Sequence, residues 1–381
     1  MTVSIIVISS VCLVYLALLT TYLYSWNKIP TFSSSVAHSP HPKVSIIIPA
    51  RNEEDHILNC VRSCLNQTYP SELIEIIVID DQSEDNTYSL LEDEIKVPGF
   101  KLMRLGVHKR TTIQGSKKKA IAYGVSHASG DIILTTDADC TVPTDWVNKF
   151  VQYAKKNEKI LITGPVMVSE ANGLINIFQQ LDLSVNSLIN AAGMHNGLHQ
   201  LGSAANLMYQ KASFLELSPY EDNFHIASGD DVFLIQKMKE RFPQGMSFIK
   251  SKEAIVETKA CTSWRELISQ RLRWAGKTKY LKNYKINFIA AVVWLNRILP
   301  WLGLTVSIIL SFKDLLICSV SCILLSWIID FIILWQATKF FNKQKLLWYF
   351  VPIQLIYNCY FLLLGMLSFL PLQLEWKDRK I

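Results

Sequence analysis

The sequence lacks the short motifs that indicate several common chemistries. Its eight cysteines include no C-x-x-C pair, so a zinc site is not expected, and all eight are predicted to be buried free thiols. No G-x-G-x-x-G follows the first predicted strand, and no G-x-x-x-x-G-K-[S/T] occurs, which disfavours dinucleotide and P-loop chemistry. His195, His199 and His225 have no convincing ligand partner and are interpreted as surface or core residues.

Charged residues are also missing from long stretches at both ends of the chain. They make up 18% of the 381 residues, against 50% hydrophobic residues, and the mean hydropathy is +0.21. Residues 3–26 carry no charge and are long enough to cross a bilayer as a helix. Without a basic segment or a clear cleavage site, they favour a membrane anchor, and a cleaved signal peptide is the alternative. Further apolar runs lie at 286–312, 315–337 and 346–374.

Two charged residues and a proline interrupt the C-terminal apolar runs. Arg297 and Pro300 interrupt the first run, which either spans or forms an interfacial helix that turns at Pro300 before a shorter crossing. Asp330 interrupts the second run. A charge inside a membrane is costly unless it faces protein, water or head groups. For both residues, snorkelling at a membrane boundary is an alternative of equal weight to such a buried position.

Basic residues are concentrated just before the C-terminal apolar region. The net charge is +6, and much of it lies in residues 250–285. Positive charge beside a span is typical of the cytoplasmic side, so the middle of the chain is expected in the cytoplasm. The basic tail at 377–380 fits a four-span arrangement poorly, which leaves three and four spans both open.

Between the apolar ends, β-branched runs alternate with helical patterns. Strands are predicted at 44–49, 74–79, 101–105 and 132–136, with helices between them. This alternation predicts an α/β fold whose mainly parallel sheet is covered by helices on both faces. Polar clusters follow three of the strands and should meet at one edge of the sheet, where open α/β sheets bind ligands.

The last of these clusters contains two carboxylates one residue apart, Asp137 and Asp139. Residues i and i+2 of an extended chain point to the same side, so both carboxylates can face one hard cation. Mg²⁺ or Mn²⁺ held by one or two carboxylates and completed by substrate phosphates is the usual role of such a pair. Taken alone, D-x-D is more often a solvated turn or a helix cap.

Several motifs in a fixed order resemble those of the family 2 inverting glycosyltransferases with a GT-A fold. They are VSIIIPARNEE at 44–54, IIVIDDQSEDNT at 76–87, KKKAIAYG and GDIILTTDAD within 117–139, SGDD at 228–231 and QRLRW at 270–274. Each motif is weak alone, but their order is specific. The resemblance implies a Rossmann-like catalytic domain flanked by transmembrane helices. The expected domains are an anchor at 1–27, a linker at 28–43, the catalytic domain at 44–285, a membrane region at 286–374 and a polar tail at 375–381.

The resemblance assigns a base and ribose pocket to the first two motifs. Pro49, Arg51 and Glu53 are expected to line this pocket, and Asp81 to accept a hydrogen bond from a uracil N–H while Asp80 supports the loop. The alternatives are that Asp80 caps the following helix and that Glu53 complements the charge of a helix N-terminus.

The next motifs are assigned to the diphosphate. Lys117 is expected to reach the diphosphate or the sugar, whereas Lys118 and Lys119 are expected on a solvated face. Asp137 and Asp139 match the D-x-D that binds the metal and the diphosphate, and the ion would act as a Lewis acid on the departing nucleotide.

The resemblance also assigns catalysis and part of the acceptor site. In the pair formed by Asp230 and Asp231, Asp231 resembles the general base of the family; the alternative is a helix N-cap. Arg273 is expected on the diphosphate, Trp274 under the acceptor and Gln270 in support. A basic interfacial helix lying on anionic lipid is a compatible interpretation of this segment, which also has a capping box at 263–266.

Three positions in two segments depart from the family pattern. Gln82 stands where the family often has glycine, which should be tolerated if its backbone angle is ordinary. Ser203 and Asn206 are expected to contact the acceptor, because the small residues of their loop fit close ligand approach. Ser203 and Ala205 differ from the Gly-Ala-Asn that is usual in the family. The alternative is that this loop is a simple turn.

The resemblance implies glycosyl transfer and leaves the product open. At most four spans with few polar residues favour transfer of one sugar from a nucleotide sugar, with UDP preferred, to a membrane lipid or lipid-linked acceptor. Polysaccharide synthesis with partner subunits is the alternative, and a non-catalytic membrane adaptor is disfavoured by the intact motifs. The expected partners are the donor, the acceptor and the bilayer of an inner or plasma membrane, with no nucleic acid.

Overall fold

The computed structural model describes residues 1–33, 41–106, 116–224, 226, 229–278, 283–368, 375–376 and 379–380. The chain divides into two compact units. The sheet unit contains Pro30–Ala171, Gln200–Ala260 and Gln373–Ile381, and the helical unit contains Met1–Ile29, Asn172–His199 and Cys261–Leu372. Outside the described residues lie 34–40 of the predicted linker, His225, Ser228 and part of the polar tail.

The strands of the sheet unit are short and mostly buried. They are β1 (Val44–Ala50), β2 (Ile74–Asp80), β3 (Phe100–Arg104), β4 (Ile132–Thr135), β5 (Cys140–Thr141), β6 (Leu161–Thr163), β7 (Val166–Val168), β8 (Leu207–Gln210), β9 (Met246–Phe248), β10 (Val256–Thr258), β11 (Glu375–Trp376) and β12 (Arg379–Lys380).

The helices are numbered along the chain in the same way. The sheet unit contains α2 (Ile57–Leu65), α3 (Thr87–Glu94), α4 (Lys117–His127), α5 (Trp146–Asn157), α7 (Lys211–Leu217) and α8 (Asp230–Arg241). The helical unit contains α1 (Thr2–Lys28), α6 (Leu174–Asn196), α9 (Trp264–Thr278), α10 (Tyr284–Leu310), α11 (Lys313–Phe340) and α12 (Phe350–Ser368).

A seven-stranded sheet in the order β3-β2-β1-β4-β8-β6-β9 lies at the centre of the sheet unit. Neighbours from β3 through β4 are parallel, and β8 runs antiparallel to both β4 and β6. The prediction of a mainly parallel α/β sheet is confirmed, and the predicted strand ends agree with the observed ends to within one residue. A second sheet, β5-β10-β7, was not expected from the sequence.

The central strand β1 is buried along its whole length because sheet neighbours and helices cover it. Its penultimate residue is Pro49, although proline lacks the N–H that a central strand needs. Strand β4 pairs only with the stretch from Val44 to Ile47, so Pro49 lies beyond that ladder and its missing N–H breaks no bond to β4. Helix α4 lies close on β1 and β2 at Gly124, where a Cβ would collide with the side chains of Ile79 and Ile47.

One buried carboxylate joins three strands and a turn at the opposite edge of the sheet. Glu75 accepts hydrogen bonds from Ser45 of β1 and from the backbone N–H of Ser129, and it pairs with Lys101 of β3 at 2.8 Å. Burial alone would raise the pKa of Glu75, but the bonds from Lys101, Ser45 and Ser129 lower it from 4.5 to about 2.

We expect the ionised Glu75 to stabilise the fold at neutral pH. Its pKa is lower in the folded protein, so the contribution is complete above about pH 4.5 and is lost as the pH falls towards 2. Glu75→Gln should lower the free energy of unfolding at pH 7 by about 3 kcal/mol, measured by denaturant titration in detergent. Glu94→Gln, which removes an exposed partner of Arg62, is the control. Equal stability of both variants would contradict the assignment.

Within the described part of the chain, the helical unit has four helices that are long and apolar enough to cross a membrane. They are Thr2–Lys28, Tyr284–Leu310, Lys313–Phe340 and Gln344–Leu367, the last of which includes a 3₁₀ turn before α12. The expected alternative of a helix that turns at Pro300 is wrong, because α10 continues through this residue. Packing against α11 holds the helix there, since Asn296 donates a hydrogen bond to Ser326 at 3.0 Å.

The two charged residues that interrupt the predicted apolar runs form an ion pair. Arg297 of α10 lies 2.7 Å from Asp330 of α11. Tyr15 of α1 accepts a hydrogen bond from Arg297 at 2.6 Å and donates one to Asp330, and Gln354 of α12 also donates to Asp330. All four side chains are buried, which excludes snorkelling to a boundary for this pair. One polar network therefore joins four helices.

Removing one partner of this pair should be worse than removing both. Arg297→Met or Asp330→Leu alone leaves an uncompensated buried charge and should cost about 3–5 kcal/mol, whereas the double variant should regain much of that loss. Thermal unfolding in detergent would measure this, with Asp314→Leu at the exposed start of α11 as the control. Additive losses in the double variant would rule out the coupling.

All eight cysteines are free, as predicted, but not all are buried. Six are buried, Cys318 is half-buried and Cys359 is exposed on α12. The expectation failed because an apolar helix that faces lipid carries exposed apolar residues. His199 is buried against the Tyr22 ring and His195 is exposed, in agreement with their interpretation as ordinary residues.

Candidate active site

Three segments of the sheet unit meet at the ammonium group of Lys117. This residue is the first of α4, and its Nζ lies 2.6 Å from Oδ1 of Asp137, just after β4. The same Nζ lies 3.1 Å from Oδ2 of Asp230, the first residue of α8. A positive charge at a helix N-terminus is unfavourable by itself, so the two carboxylates offset it. The ion pairs fix the D-x-D segment relative to the start of α8.

The charges of this cluster shift one another's pKa. Burial alone would lower the pKa of Lys117, but Asp137 and Asp230 raise it well above its usual value. The pKa of Asp137 is raised by burial and by the neighbouring Asp139 and Asp230, and Lys117 opposes that rise. Carboxylates outnumber ammonium groups here, so the cluster attracts a further cation.

The residues present fit a divalent ion that is completed by a ligand. Asp137 and Asp139 supply the hard oxygen donors that Mg²⁺ and Mn²⁺ prefer. Within the described part of the chain, no group of three or more His, Cys, Asp or Glu side chains could hold an ion unaided. Further ligands would therefore have to come from bound phosphate or water.

The two acidic residues of α8 differ in accessibility. Asp230 is buried, whereas Asp231 is half-buried and its Oδ1 accepts a hydrogen bond from the N–H of Val232 at 2.8 Å. The alternative of a carboxylate N-cap is wrong, because Gly229 occupies the cap position with a φ of +93°. Both carboxylates lie inside the first turn, where the helix dipole favours negative charge. Asp231 is thus the more accessible of the two carboxylates.

The loop after β2 is held by two buried side chains. The guanidinium of Arg51 donates to the carbonyl of Asp81 at 3.0 Å and to that of Gln82, and pairs with Glu84 at 2.9 Å. Asp80 is fully buried, accepts from the N–H of Ser83 at 3.3 Å and pairs with a side chain of β3. Asp80 therefore supports the loop and does not cap the following helix.

Further contacts of this loop lie at the start of α3 and beside the end of β1. Asp85 accepts from the N–H of Thr87 at 3.0 Å and so serves the start of α3, and the N–H of Glu53 donates to the hydroxyl of Thr87 at 2.7 Å. Asp81 is buried beside the end of β1. Gln82 should be tolerated in place of glycine if its backbone angle is ordinary, and this condition is not met, because its φ is +60°. The bond from Arg51 to its carbonyl holds this left-handed conformation, which glycine adopts without strain.

Lys118 was expected on a solvated face and is instead fully buried. Its amine donates to the carbonyl of Asn223 and lies 4.7 Å from the centre of the Phe233 ring. The sequence contains a signal for this, since Lys118, Ile121 and Val125 are spaced as one face of a helix. Lys118 thus connects α4 to the segment before α8 and to α8 itself.

Asn206 is buried and joins neighbouring segments, so its side chain is not open to a ligand. Its side chain is fully buried, accepts from Trp146 Nε1 at 2.8 Å and donates to the carbonyls of Pro165 and Ala254 at 2.8 and 2.7 Å. Its amide is therefore used up in joining three segments, which corrects the expectation of an acceptor contact. Ser203 caps the short 3₁₀ helix that contains Asn206.

The QRLRW motif lies in the helical unit, on α9. Half of the predicted capping box is present, because the N–H of Glu266 donates to the hydroxyl of Ser263 at 3.2 Å. The Glu266 carboxylate accepts from the N–H of Thr262 at 2.8 Å, one residue before Ser263. Trp274 is exposed and Arg273 is half-buried, with its pKa lowered by burial. Arg271 is buried, which corrects its place in an exposed basic face.

Comparison with known families matches most of the chain. The model named glycosyl transferase family 2 matches residues 45–213, and the model named glycosyl transferase family group 2 matches residues 132–368, more than half of the chain. The chain belongs to the family 2 glycosyltransferases. It is therefore a glycosyltransferase, and its GT-A fold and the order of its motifs agree with this membership.

Curated relatives of this glycosyltransferase differ in how much they share with it. A poly-beta-1,6-N-acetyl-D-glucosamine synthase of Staphylococcus epidermidis is 24% identical over 75% of this chain and 71% of its own length. A beta-monoglucosyldiacylglycerol synthase of Synechocystis is 30% identical over 32% of this chain and 25% of its own length. A poly(ribitol-phosphate) beta-glucosyltransferase of Bacillus spizizenii is matched over 27% of its own length. The chain therefore spans about a quarter of this relative and of the Synechocystis one.

A solved structure shares the fold. It is the mannosyltransferase PcManGT from Pyrobaculum calidifontis in complex with GDP-Man and Mn²⁺. The TM-score is 0.58 at 16% identity, with 96% of this chain and 98% of the other covered. The likeness therefore covers the catalytic sheet and the flanking helices, and at this identity it shows fold alone.

Replacing Lys117 should disable the glycosyltransferase. Lys117→Met leaves Asp137 and Asp230 without their shared cation and should reduce transfer by about 100-fold or more. Lys119→Met removes the same charge two residues later and should stay within about threefold of the unmodified protein. Initial rates of nucleotide release with the best donor would measure this. Similar rates in the two variants would exclude a special role for Lys117.

Proposed function

We propose that this glycosyltransferase moves one sugar from a nucleotide sugar to a hydroxyl of a membrane lipid or lipid-linked acceptor, with inversion at the anomeric carbon. The observation that carries the proposal is the Lys117 ammonium between Asp137 and Asp230, with Asp231 beside it in the first turn of α8. This arrangement supports a site for a divalent cation and the donor diphosphate, with an accessible carboxylate at the same edge of the sheet.

The donor is held by residues with separate tasks. Pro49, Arg51, Glu53, Asp80 and Asp81 form the base and ribose pocket, in which Arg51 and Asp80 act by holding the loop.

Lys117 and Arg273 bind the diphosphate, since cationic side chains stabilise the negative charge that develops on the leaving group. Asp137 and Asp139 hold Mg²⁺ or Mn²⁺, which neutralises part of the same charge when bound.

Asp231 acts as the general base. An acceptor hydroxyl attacks the anomeric carbon while its proton moves to a carboxylate oxygen of Asp231. The new glycosidic C–O bond forms as the bond between the anomeric carbon and the diphosphate oxygen breaks, and the nucleoside diphosphate leaves. Asp230 keeps Lys117 in place for this step and takes no proton. In-line displacement from the opposite face inverts the configuration.

A lipid acceptor fits the helical unit. Trp274 and Gln270 lie there with the four apolar helices, and Ser203 of the sheet unit remains an acceptor candidate. The diacylglycerol-linked product in the name of the Synechocystis relative supports this class. We place the protein in an inner or plasma membrane, with the sheet unit cytoplasmic because basic residues precede α10.

Polysaccharide synthesis is the second candidate function. The Staphylococcus epidermidis relative matches three-quarters of this chain and is named as a polymer synthase. Against it stands the ion pair of Arg297 and Asp330, which uses the charges of the apolar helices for packing and not for a polar passage. A polymer synthase built on this chain would need partner subunits to supply a channel.

A donor and acceptor panel separates these functions. Detergent-solubilised protein is incubated with UDP-, GDP- and dTDP-sugars, Mg²⁺ or Mn²⁺ and total membrane lipids, and the products are analysed by mass spectrometry. The GDP sugars are included because PcManGT is in complex with GDP-Man. A lipid that gains one sugar is the expected result. A ladder of sugar units would replace the proposal with the second candidate.

Asp231→Asn should abolish transfer and leave donor binding intact. Loss of a general base should slow turnover by about 10²–10⁴-fold, while nucleotide binding measured by calorimetry should change little. Asp222→Asn is a matched control, because Asp222 is an exposed partner of Lys237 on α8. Turnover equal to that of the control would remove Asp231 as the base.

A further inference from the structure

Arg271 has an environment that is unusual for a charged residue of a surface motif. It lies two residues before Arg273, yet it is only 5% exposed. Its Nη2 lies 2.6 Å from Oδ2 of Asp182 on α6, and its Nη1 donates to the side chain of Gln270 at 3.2 Å. A buried charge with this pairing is fixed in position, because moving it would separate the pair in a low-dielectric interior.

Asp182 is itself fixed from another side. Its other oxygen, Oδ1, accepts a hydrogen bond from the hydroxyl of Tyr357 on α12 at 2.9 Å, and Asp182 is buried. Each carboxylate oxygen therefore has a partner, Oδ2 in an ion pair with α9 and Oδ1 in a hydrogen bond from α12. Through Asp182, the position of Arg271 is tied to a helix that is apolar enough to cross a membrane.

The other neighbour of Arg271 is the tryptophan of the motif. Residues three apart share a helix face, and the guanidinium carbon of Arg271 lies 4.1 Å from the centre of the Trp274 ring. Trp274 is 38% exposed, so the ring is covered by the guanidinium and still open to a ligand. A cation over an aromatic face restrains the ring as well as attracting it.

We infer that Arg271 is a positioning residue that holds the ring of Trp274 in the orientation the acceptor needs, with Asp182 and Tyr357 as its supports. Arg271 touches neither donor nor acceptor and acts through Trp274. The inference rests on the proposed role of Trp274 as the acceptor floor and assigns a residue that sets acceptor affinity. Lysine at position 271 would keep the positive charge but would lose the planar guanidinium, which pairs with Asp182 and lies over the Trp274 ring.

The first test needs no substrate. Hydroxyl-radical footprinting of the full chain in detergent, read by peptide mass spectrometry, measures how accessible the Trp274 ring is. Arg271→Met should raise the oxidation rate of Trp274 by about threefold or more, and Arg271→Lys should give a smaller rise. Arg265→Met is the matched control, since Arg265 lies exposed on the same helix. An unchanged rate in Arg271→Met would overturn the inference.

The second test separates acceptor from donor. With UDP-glucose and dioleoylglycerol in phosphatidylcholine vesicles, or the pair that the panel gives, Arg271→Met should raise KM for the acceptor by about tenfold. KM for the donor should stay within about twofold, Arg271→Lys should recover part of the loss, and Arg265→Met should match the unmodified protein. Equal changes in both KM values would overturn the positioning role.

Trp274→Ala distinguishes the failure of this inference from the failure of the proposed function. If this variant binds the acceptor normally, Trp274 is not the acceptor floor and the proposed function loses that residue. If Trp274→Ala loses acceptor affinity while Arg271→Met does not, the floor stands and Arg271 has no part in it.

Discussion

The charge balance around Lys117 is the constraint on which the catalytic edge depends. Parallel strands bring their carboxyl ends to one edge, and this chain follows those ends with acidic residues, so like charges accumulate. One ammonium group between Asp137 and Asp230 makes the accumulation tolerable. Helix α4 must then lie directly on the sheet, which Gly124 allows because it has no side chain to meet Ile47 and Ile79.

Burial explains why some charged residues were misjudged from the sequence while the four predicted strands were not. β-branched runs such as β1 and β2 are buried on both faces, so their composition alone identifies them. Lys118 and Arg271 are buried because of partners far away in the chain, and residue type argues the opposite way. Helical spacing places Lys118 with apolar residues, but only the fold supplies its carbonyl partner.

Other features follow from tertiary context and leave no pattern in the sequence. Strands β5, β7 and β10 have two or three residues each, too few for any alternation to be recognised. The left-handed angle of Gln82 is set by the loop that Arg51 holds, and a glycine would have been the sequence signal. The family motifs assign Lys117, Asp137 and Asp230 to one site. The ion pairs that join them depend on the fold and leave no pattern in the sequence.

Family membership fixes the reaction more firmly than it fixes the acceptor. The longer family match runs from β4 to α12, so the helical segments that carry the QRLRW motif are part of the shared architecture. The Staphylococcus epidermidis and Synechocystis relatives have names that indicate different products. The acceptor is therefore argued from contacts of the helical unit. Those of Arg271 with Asp182 and Trp274 connect a buried ion pair to the ring proposed to contact the acceptor. A site of this kind can change its acceptor by small movements of an aromatic ring, without any change in the donor chemistry at the edge of the sheet.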